Sequence, residues 1–275
     1  MKNIIPVLKR AVPRPVRELL KRIVHRLRHP PIEPYLKKKN VEGVEFEFWI
    51  GDRDGRDWYD LQSTDPDWPE MRFVRDHVVG PGDVVLECGG HHGCTAIVLS
   101  RWVGETGRVV TFEPLPANAR IIERNLRQNN ITNVTLQQQA IGDANRTITI
   151  STESNASVLR SGRGVAVDMV RLDDFAHLAP TFVKIDVEGF ELQVLKGAPK
   201  ILATCPKLAI EVHTEQLAQY GASVQALLDV IGVERYHVWV QWDDDQAPVP
   251  YDAAVPIDKR VHLFLLPITA PASPA

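Results

Sequence analysis

A chain of 275 residues, 44% of them apolar, has material for one well-buried domain plus about fifty residues more, which excludes a fibre or a disordered protein. Cys88, Cys94 and Cys205 are too few and too scattered for a disulfide framework or a zinc ribbon, and they fit a reducing cytoplasm. No apolar run nears the roughly eighteen residues that span a bilayer, and the N-terminus lacks the apolar core of a secretory leader, so the chain reads as soluble or membrane-peripheral.

The net charge of −3 is unevenly spread, because residues 1–40 hold twelve Lys or Arg against Glu18 and Glu33, a net of +10, and the remainder carries −13. Within this arm Val16, Leu19, Leu20, Ile23, Val24 and Leu27 repeat at helical spacing, and Arg17, Lys21, Arg22, Arg26 and Arg28 fall on the other face. Such a helix either lies on an anionic membrane surface, each basic residue adding about 1 kcal/mol, or docks on its own domain or a second subunit. Nucleic acid is not expected as a partner, since the acidic remainder has no basic patch interleaved with aromatics. Residues 41–80 read as a lid or hairpin about the turn Gly51–Gly55, carrying Phe46, Phe48, Trp49, Trp58 and Tyr59, followed by a leading helix at 68–79.

From about residue 84, β-branched runs alternate with helical patterns, which predicts parallel strands joined by crossover helices. Seven strands are expected, at 84–88, 108–114, 134–141, 182–187, 207–213, 236–242 and 261–267, in one doubly wound α/β sheet. Helices are expected at 93–103, 116–129, 189–203 and 214–232, and the last two strands, with no helix between them, should form an antiparallel hairpin. Residues 142–175 break the rhythm and read as a β excursion at the sheet periphery; the main domain spans 81–268, and the tail 269–275 is expected to be disordered.

Glu87-Cys88-Gly89-Gly90-His91-His92-Gly93 runs from the first of these strands into a glycine turn and a helix, where open α/β sheets bind ligands. Glycine lets backbone approach a ligand closely. Glu113, twenty residues past Gly93 at the end of the second strand, is placed to accept both hydroxyls of a ribose. A dinucleotide fingerprint ending at Gly93 needs glycine at position 88, which is Cys. The broken fingerprint, with acidic Glu87 before the turn, suits an adenosine ligand that carries a cationic amino acid and no pyrophosphate: S-adenosylmethionine.

Phe182-Val183-Lys184-Ile185-Asp186-Val187-Glu188-Gly189-Phe190-Glu191, followed by Leu195-Lys196-Gly197, resembles the distinctive motif of the FkbM-type methyltransferases. The glycine turn, Phe112-Glu113-Pro114 with Asn118 and Asn125, and Arg171-Leu172-Asp173-Asp174-Phe175 match in order, so the resemblance runs from Gly82 to Trp242. It implies a Rossmann-like class I methyltransferase fold and transfer of the methyl group of S-adenosylmethionine to a hydroxyl of a sugar, glycolipid or secondary metabolite. It also implies that Gly89, Gly90 and Gly93 line the methionine portion, Glu113 holds the ribose, and Ala140 and Ile141 border the adenine. Glu87 stands where that family usually has Asp, which makes its contact with the cofactor less direct.

Asp186 ends the fourth strand beside the expected sulfonium, and His213 ends the fifth. An imidazole with an ordinary pKa near 6.5 is neutral at pH 7, so His213 is the expected general base, the plain alternative being a strand cap. No metal is assigned, although Asp186, Glu211 and His213 offer oxygen and nitrogen ligands and strand alternation puts the last two on one face. His91 and His92 are secondary candidates, and Glu188 and Glu191 need no role beyond favouring a helix N-terminus. A nicotinamide oxidoreductase and a catalytically silent interaction module remain as rival readings.

Overall fold

The structure is a computed structural model in which residues 32–61, 67–159 and 163–268 are described. The expected basic helix at 13–29 and the tail from 269 lie outside the described residues. The chain divides into two units, residues 1–36 with 50–63, and residues 37–49 with 64–275. In the first unit the Asp52 side chain accepts from Gly55 N at 2.8 Å and caps helix α1 (Arg53–Arg56), which continues as one wide turn, Asp57–Leu61. There the Tyr35 hydroxyl donates to the Asp60 carboxylate.

Strands β1 (Tyr35–Val41) and β2 (Val44–Ile50) pair about Glu42 and Gly43, whose φ angles of 46° and 86° are what a two-residue hairpin turn demands. The hairpin therefore turns here and not at Gly51–Gly55, because Asp52 is an N-cap residue and starts a helix instead. Helix α2 (Pro69–Phe73) opens on proline and continues as a wide turn, Val74–Val78. Buried Glu42 accepts from Trp68 N at 2.8 Å and pairs with Arg75 at 3.0 Å, fastening the hairpin turn to that helix.

The alternating region gives β3 (Val84–Cys88), α3 (Cys94–Val103), β4 (Arg108–Phe112), α4 (Pro116–Gln128) and β5 (Val134–Gln137). A small excursion follows in β6 (Ala140–Gly142), β7 (Arg146–Ile150) and β8 (Val165–Arg171), and the rhythm resumes with β9 (Phe182–Ile185), α5 (Glu191–Lys196), α6 (Pro199–Ala203) and β10 (Lys207–Val212). The chain ends on α7 (Thr214–Gln219), α8 (Val224–Ile231), β11 (Tyr236–Gln241), β12 (Val249–Pro250) and β13 (Val261–Pro267).

The main sheet has the order β12-β11-β13-β10-β9-β3-β4-β5. Its strands β10, β9, β3, β4 and β5 are mutually parallel, while β13 runs antiparallel between β10 and β11. All seven expected strands are in it, including the antiparallel last pair, and β12 adds an eighth. The chain winds outward from β3 to β5 and then returns to the other side of β3, so the order reverses between β3 and β9. In open α/β sheets the crevice for a ligand lies at the carboxyl ends of such a pair.

Three expected elements break, the first being the helix drawn at 214–232, which divides into α7 and α8 about Gly221, whose φ angle is 75°. The strand drawn at 134–141 stops at Gln137, where Gln139 N turns back onto the Gln137 carbonyl at 2.9 Å, and Ala140–Gly142 joins β8 in a separate three-stranded sheet. The helix drawn at 189–203 breaks at Gly197, where any Cβ would stand 2.0 Å from the Gly142 carbonyl oxygen. Strand alternation sends Leu86, Val110 and Val183 into one apolar cluster and Val85, Val109 and Phe182 into another, so the sheet is covered on both faces. Each such side chain contributes about 1.5–3 kcal/mol of burial.

Candidate active site

The turn after β3 is held as much by its own protein as by any ligand. Gly89 and Gly93 have φ angles of 98° and 85°. A Cβ at Gly89 would meet the Asp186 carbonyl oxygen at 1.9 Å, one at Gly90 would meet Thr111 Oγ1 at 2.4 Å, and one at Gly93 would meet Ile122 at 3.3 Å. Glycine is thus required because β9 and α4 press on the turn, a reason the sequence reading, which invoked only the ligand, did not contain. Gly89 N and Gly90 N both donate to the Phe112 carbonyl at 3.0 Å, tying the turn to the end of β4.

Glu113 follows β4 and faces this turn. His91 N donates to one carboxylate oxygen at 2.8 Å and Leu115 N to the other at 2.9 Å, which fixes the group while leaving further lone pairs for a diol. Burial pushes its carboxyl up to about 8, against those two backbone hydrogen bonds. Ala140 and Ile141 are buried nearby, Ala140 in the cluster that contains Leu115 and Ile141 in the one that contains Phe112. Glu113, the glycine turn and Asp186 therefore converge on the switch point between β3 and β9.

Glu87 is wholly buried, in cross-strand register with Thr111 on one side and Lys184 on the other, and neither of its oxygens forms a hydrogen bond among the described residues. Burial pushes it up to about 7, against the charge of Lys184. Such an orphaned buried acid suits a site meant to receive a cation. Lys184 is itself buried, 3.5 Å from Asp186 and 4.0 Å from Glu70, and although burial opposes its charge these carboxylates hold it firmly protonated.

Asp186 ends β9 with its side chain 32% exposed, and its carboxyl is raised by burial and by Glu211, against Lys184. His213, by contrast, is 5% exposed. Its Nδ1 lies 2.8 Å from Glu191, and its Nε2 lies 3.4 Å from Glu211 and 3.6 Å from Glu188. Burial works against the imidazolium, but the hydrogen bond to Glu191 and the charges of Glu211 and Asp186 outweigh it and push His213 up to about 11. The expectation of an ordinary, neutral imidazole is therefore corrected: three carboxylates keep it protonated. Glu211 and His213 do share a face, as strand alternation predicts.

Glu191 was assigned nothing beyond the helix start, yet it is fully buried and joins Gly189 N, at 2.9 Å, to His213. Glu188 and Gly189 are both left-handed, with φ angles of 51° and 93°, and that double turn swings Glu188 toward His213. Glu70 and His262, 3.7 Å apart beside this cluster, carry no motif and were invisible in the sequence. Arg260 pairs with Glu211 and Asp244 from the loop before β13. His91 and His92 stack at 4.1 Å between ring centroids, and Ser154 Oγ stands 2.7 Å from His91 Nε2 and 3.5 Å from His92 Nε2. Burial, and then the neighbouring His92, keep His91 neutral.

A family model, described as the methyltransferase FkbM domain, matches residues 87–238. The chain belongs to the FkbM methyltransferase family. S-adenosylmethionine, the methyl donor that this family implies, fits the residues present, since Glu113 is preset for a diol and neither oxygen of buried Glu87 has a hydrogen bond among the described residues. A curated relative of this FkbM chain, "Methyltransferase 1" of Beauveria bassiana (strain ARSEF 2860), is 27% identical over 143 residues, covering 41% of this chain and 57% of the relative. A solved FkbM methyltransferase from Methylobacillus flagellatus KT is 21% identical, with a TM-score of 0.46, over 67% of this chain and 44% of that one. Aeropyrum pernix fibrillarin, solved with natively bound S-adenosyl-L-methionine, is 15% identical with a TM-score of 0.47, covering 84% of this chain and 82% of that one. The chain thus spans little more than half of the curated relative and less than half of the solved FkbM protein. Among the described residues no helix is long and apolar enough to cross a membrane.

Proposed function

We propose that this FkbM-family chain transfers a methyl group from S-adenosylmethionine to a hydroxyl of a sugar, glycolipid or secondary metabolite. The observation that carries the reading is the meeting, at one switch point, of an anchored Glu113, the glycine turn and the acid-rich edge of Asp186 and His213. When bound, S-adenosylmethionine supplies a methyl carbon on a sulfonium, open to in-line displacement by an acceptor oxygen. Glu113 fixes the ribose, Gly89, Gly90 and Gly93 bring backbone up to the methionine portion, and Ala140 and Ile141 bound the adenine. Glu87 and Lys184 set the charge beneath the turn.

Alignment of acceptor and donor supplies much of the rate, about 7–11 kcal/mol in well-oriented pairs. The acceptor proton passes to Asp186, which abuts the turn at Gly89, because His213 Nε2 already faces the carboxylates of Glu211 and Glu188. His213 instead holds Glu188, Glu191 and Glu211 together, which keeps the acceptor edge in shape.

Calorimetry tests the donor: binding of S-adenosylmethionine without a response to NAD(H) is expected, and the reverse overturns the reading in favour of an oxidoreductase. Incubation of a host extract with methyl-labelled donor, read by mass spectrometry, is expected to yield S-adenosylhomocysteine and one labelled acceptor. Donor binding with no labelled product in any extract leaves the silent interaction module as the better account.

A further inference from the structure

Asp186, Glu188, Glu191, Glu211 and His213 crowd the carboxyl ends of β9 and β10, and removing one proton from an acceptor does not call for so many acids. The spacing inside the cluster is informative. His213 Nε2 faces Glu211 Oε1 at 3.4 Å and Glu188 Oε2 at 3.6 Å, both long contacts, from a side chain more than nine-tenths buried. A proton shared between imidazole and carboxylate draws the two atoms to about 2.7–2.9 Å. Two donors bound at about 2.1 Å to one tetrahedral ion stand about 3.4 Å apart. The contact between His213 and Glu211 has the second spacing.

One donor atom from each of Asp186, Glu211 and His213 lies within 4.8 Å of the other two. The far side of the imidazole is already committed, since Nδ1 meets Glu191 at 2.8 Å and Glu191 is held by Gly189 N at 2.9 Å. A buried carboxylate behind an imidazole fixes the ring and its tautomer so that the other nitrogen points at an ion. Charge argues the same way. Among the described residues, Asp186, Glu188, Glu191 and Glu211 have only Lys184, on Asp186, and Arg260, on Glu211, as permanent cations in contact, with His213 making up part of the difference.

We propose that Asp186, Glu211 and His213 hold a divalent first-row cation, which takes the place of the proton that His213 Nε2 carries in the ion-free protein and keeps its remaining coordination positions open to the acceptor. Two carboxylates and one imidazole suit Mn²⁺ or Zn²⁺ better than Mg²⁺, which prefers an all-oxygen shell. What the ion does there rests on the methyl-transfer reading; that it binds does not. With the ion in place Asp186 becomes a ligand, the acceptor hydroxyl coordinates, and Glu188, facing the same space, takes the hydroxyl proton. The oxygen's electron pair forms the bond to the methyl carbon and the sulfur keeps the pair of the bond that breaks. The acceptor class narrows accordingly, to compounds with a hydroxyl beside a second coordinating oxygen.

The test uses the full chain, stripped with a chelator and titrated with Mn²⁺ in the absence of S-adenosylmethionine, free Mn²⁺ being read by electron paramagnetic resonance. One ion per chain is expected. Glu211→Gln and His213→Gln should each weaken binding at least about tenfold, and Glu191→Gln, behind the ring, about 10–100-fold. Spin-echo modulation from one imidazole nitrogen is expected on the wild-type complex, which keeps the test decisive should a variant fail to fold. No stoichiometric binding to the wild-type chain, unchanged affinity in folded variants, or a spectrum without nitrogen coupling would each overturn the proposal. Because no donor is present, any of these outcomes is distinct from a failure of the methyl-transfer reading, which calorimetry with S-adenosylmethionine measures separately.

Discussion

Gly89 carries two constraints at once, a left-handed backbone and an Asp186 carbonyl 1.9 Å from where a Cβ would stand. Gly89→Ala should therefore destabilise the fold by about 3 kcal/mol or more, combining backbone strain with a steric clash, as denaturant titration would show. Glu113 makes a prediction in pH. Burial raises its folded carboxyl to about 8 from an ordinary 4.5, so the stability it lends the donor-free protein is present below pH 4.5 and is lost as pH rises toward 8. Ribose hydroxyls donate to the ionised form, so affinity for S-adenosylmethionine should rise with pH through that same range, and Glu113→Gln should bind weakly with a flat profile in calorimetry. His213→Ala releases Glu188, Glu191 and Glu211 from one another, and turnover should fall by about 10²-fold through misplacement of the acceptor edge while donor affinity survives. At this scale the sequence made Glu113, Asp186 and His213 legible, because strand ends announce themselves by period and motif. The protonation state of His213 was not legible, since it depends on Glu191 and Glu188, which fold back onto it only through two left-handed residues.

Helix α4 is the element that assembles the site. Asn125 Oδ1 accepts from Trp49 N at 2.6 Å and its Nδ2 donates to the His92 carbonyl at 2.9 Å, so one side chain joins β2, the glycine turn and the helix. Arg124 lies 3.5 Å above the Trp49 ring and reinforces the same contact. Asn125→Ala should cost about 1–3 kcal/mol by leaving both groups unpaired, and Ile122→Ala, fully buried under Gly93, about 2–5 kcal/mol, each measured by denaturant midpoint. The two asparagines of the motif are thus positioning groups, Asn118 reaching the Ser154 carbonyl at 2.9 Å. Periodicity located β3, β4, β9 and β10 well because buried parallel strands read as unbroken apolar runs, and antiparallel β13, equally buried, reads the same way. It ran β5 into β6 because Gln137, Gln138 and Gln139 offer no Gly or Pro to mark the tight backbone turn that separates the two.

Across the whole chain, charge is the feature that outlives any single contact. The basic segment 13–29, outside the described residues, supports a reading in which an anionic lipid surface gathers the protein beside a membrane-borne acceptor. Removal of residues 1–29 should then abolish sedimentation with anionic vesicles while donor affinity is unchanged; equal sedimentation of both forms would discard that reading. The loop between β7 and β8 has a different bearing. Its Ser154 spends its hydroxyl on the two stacked imidazoles of the glycine turn, and its carbonyl on Asn118. A ligand on that turn that displaces these contacts would free the loop, and occupancy by the donor and accessibility of the loop would then be linked quantities. Trypsin cutting after Arg163 should accordingly quicken as S-adenosylmethionine is added, half-maximally at the donor's own Kd, making the peripheral sheet a readout of what the central one has bound.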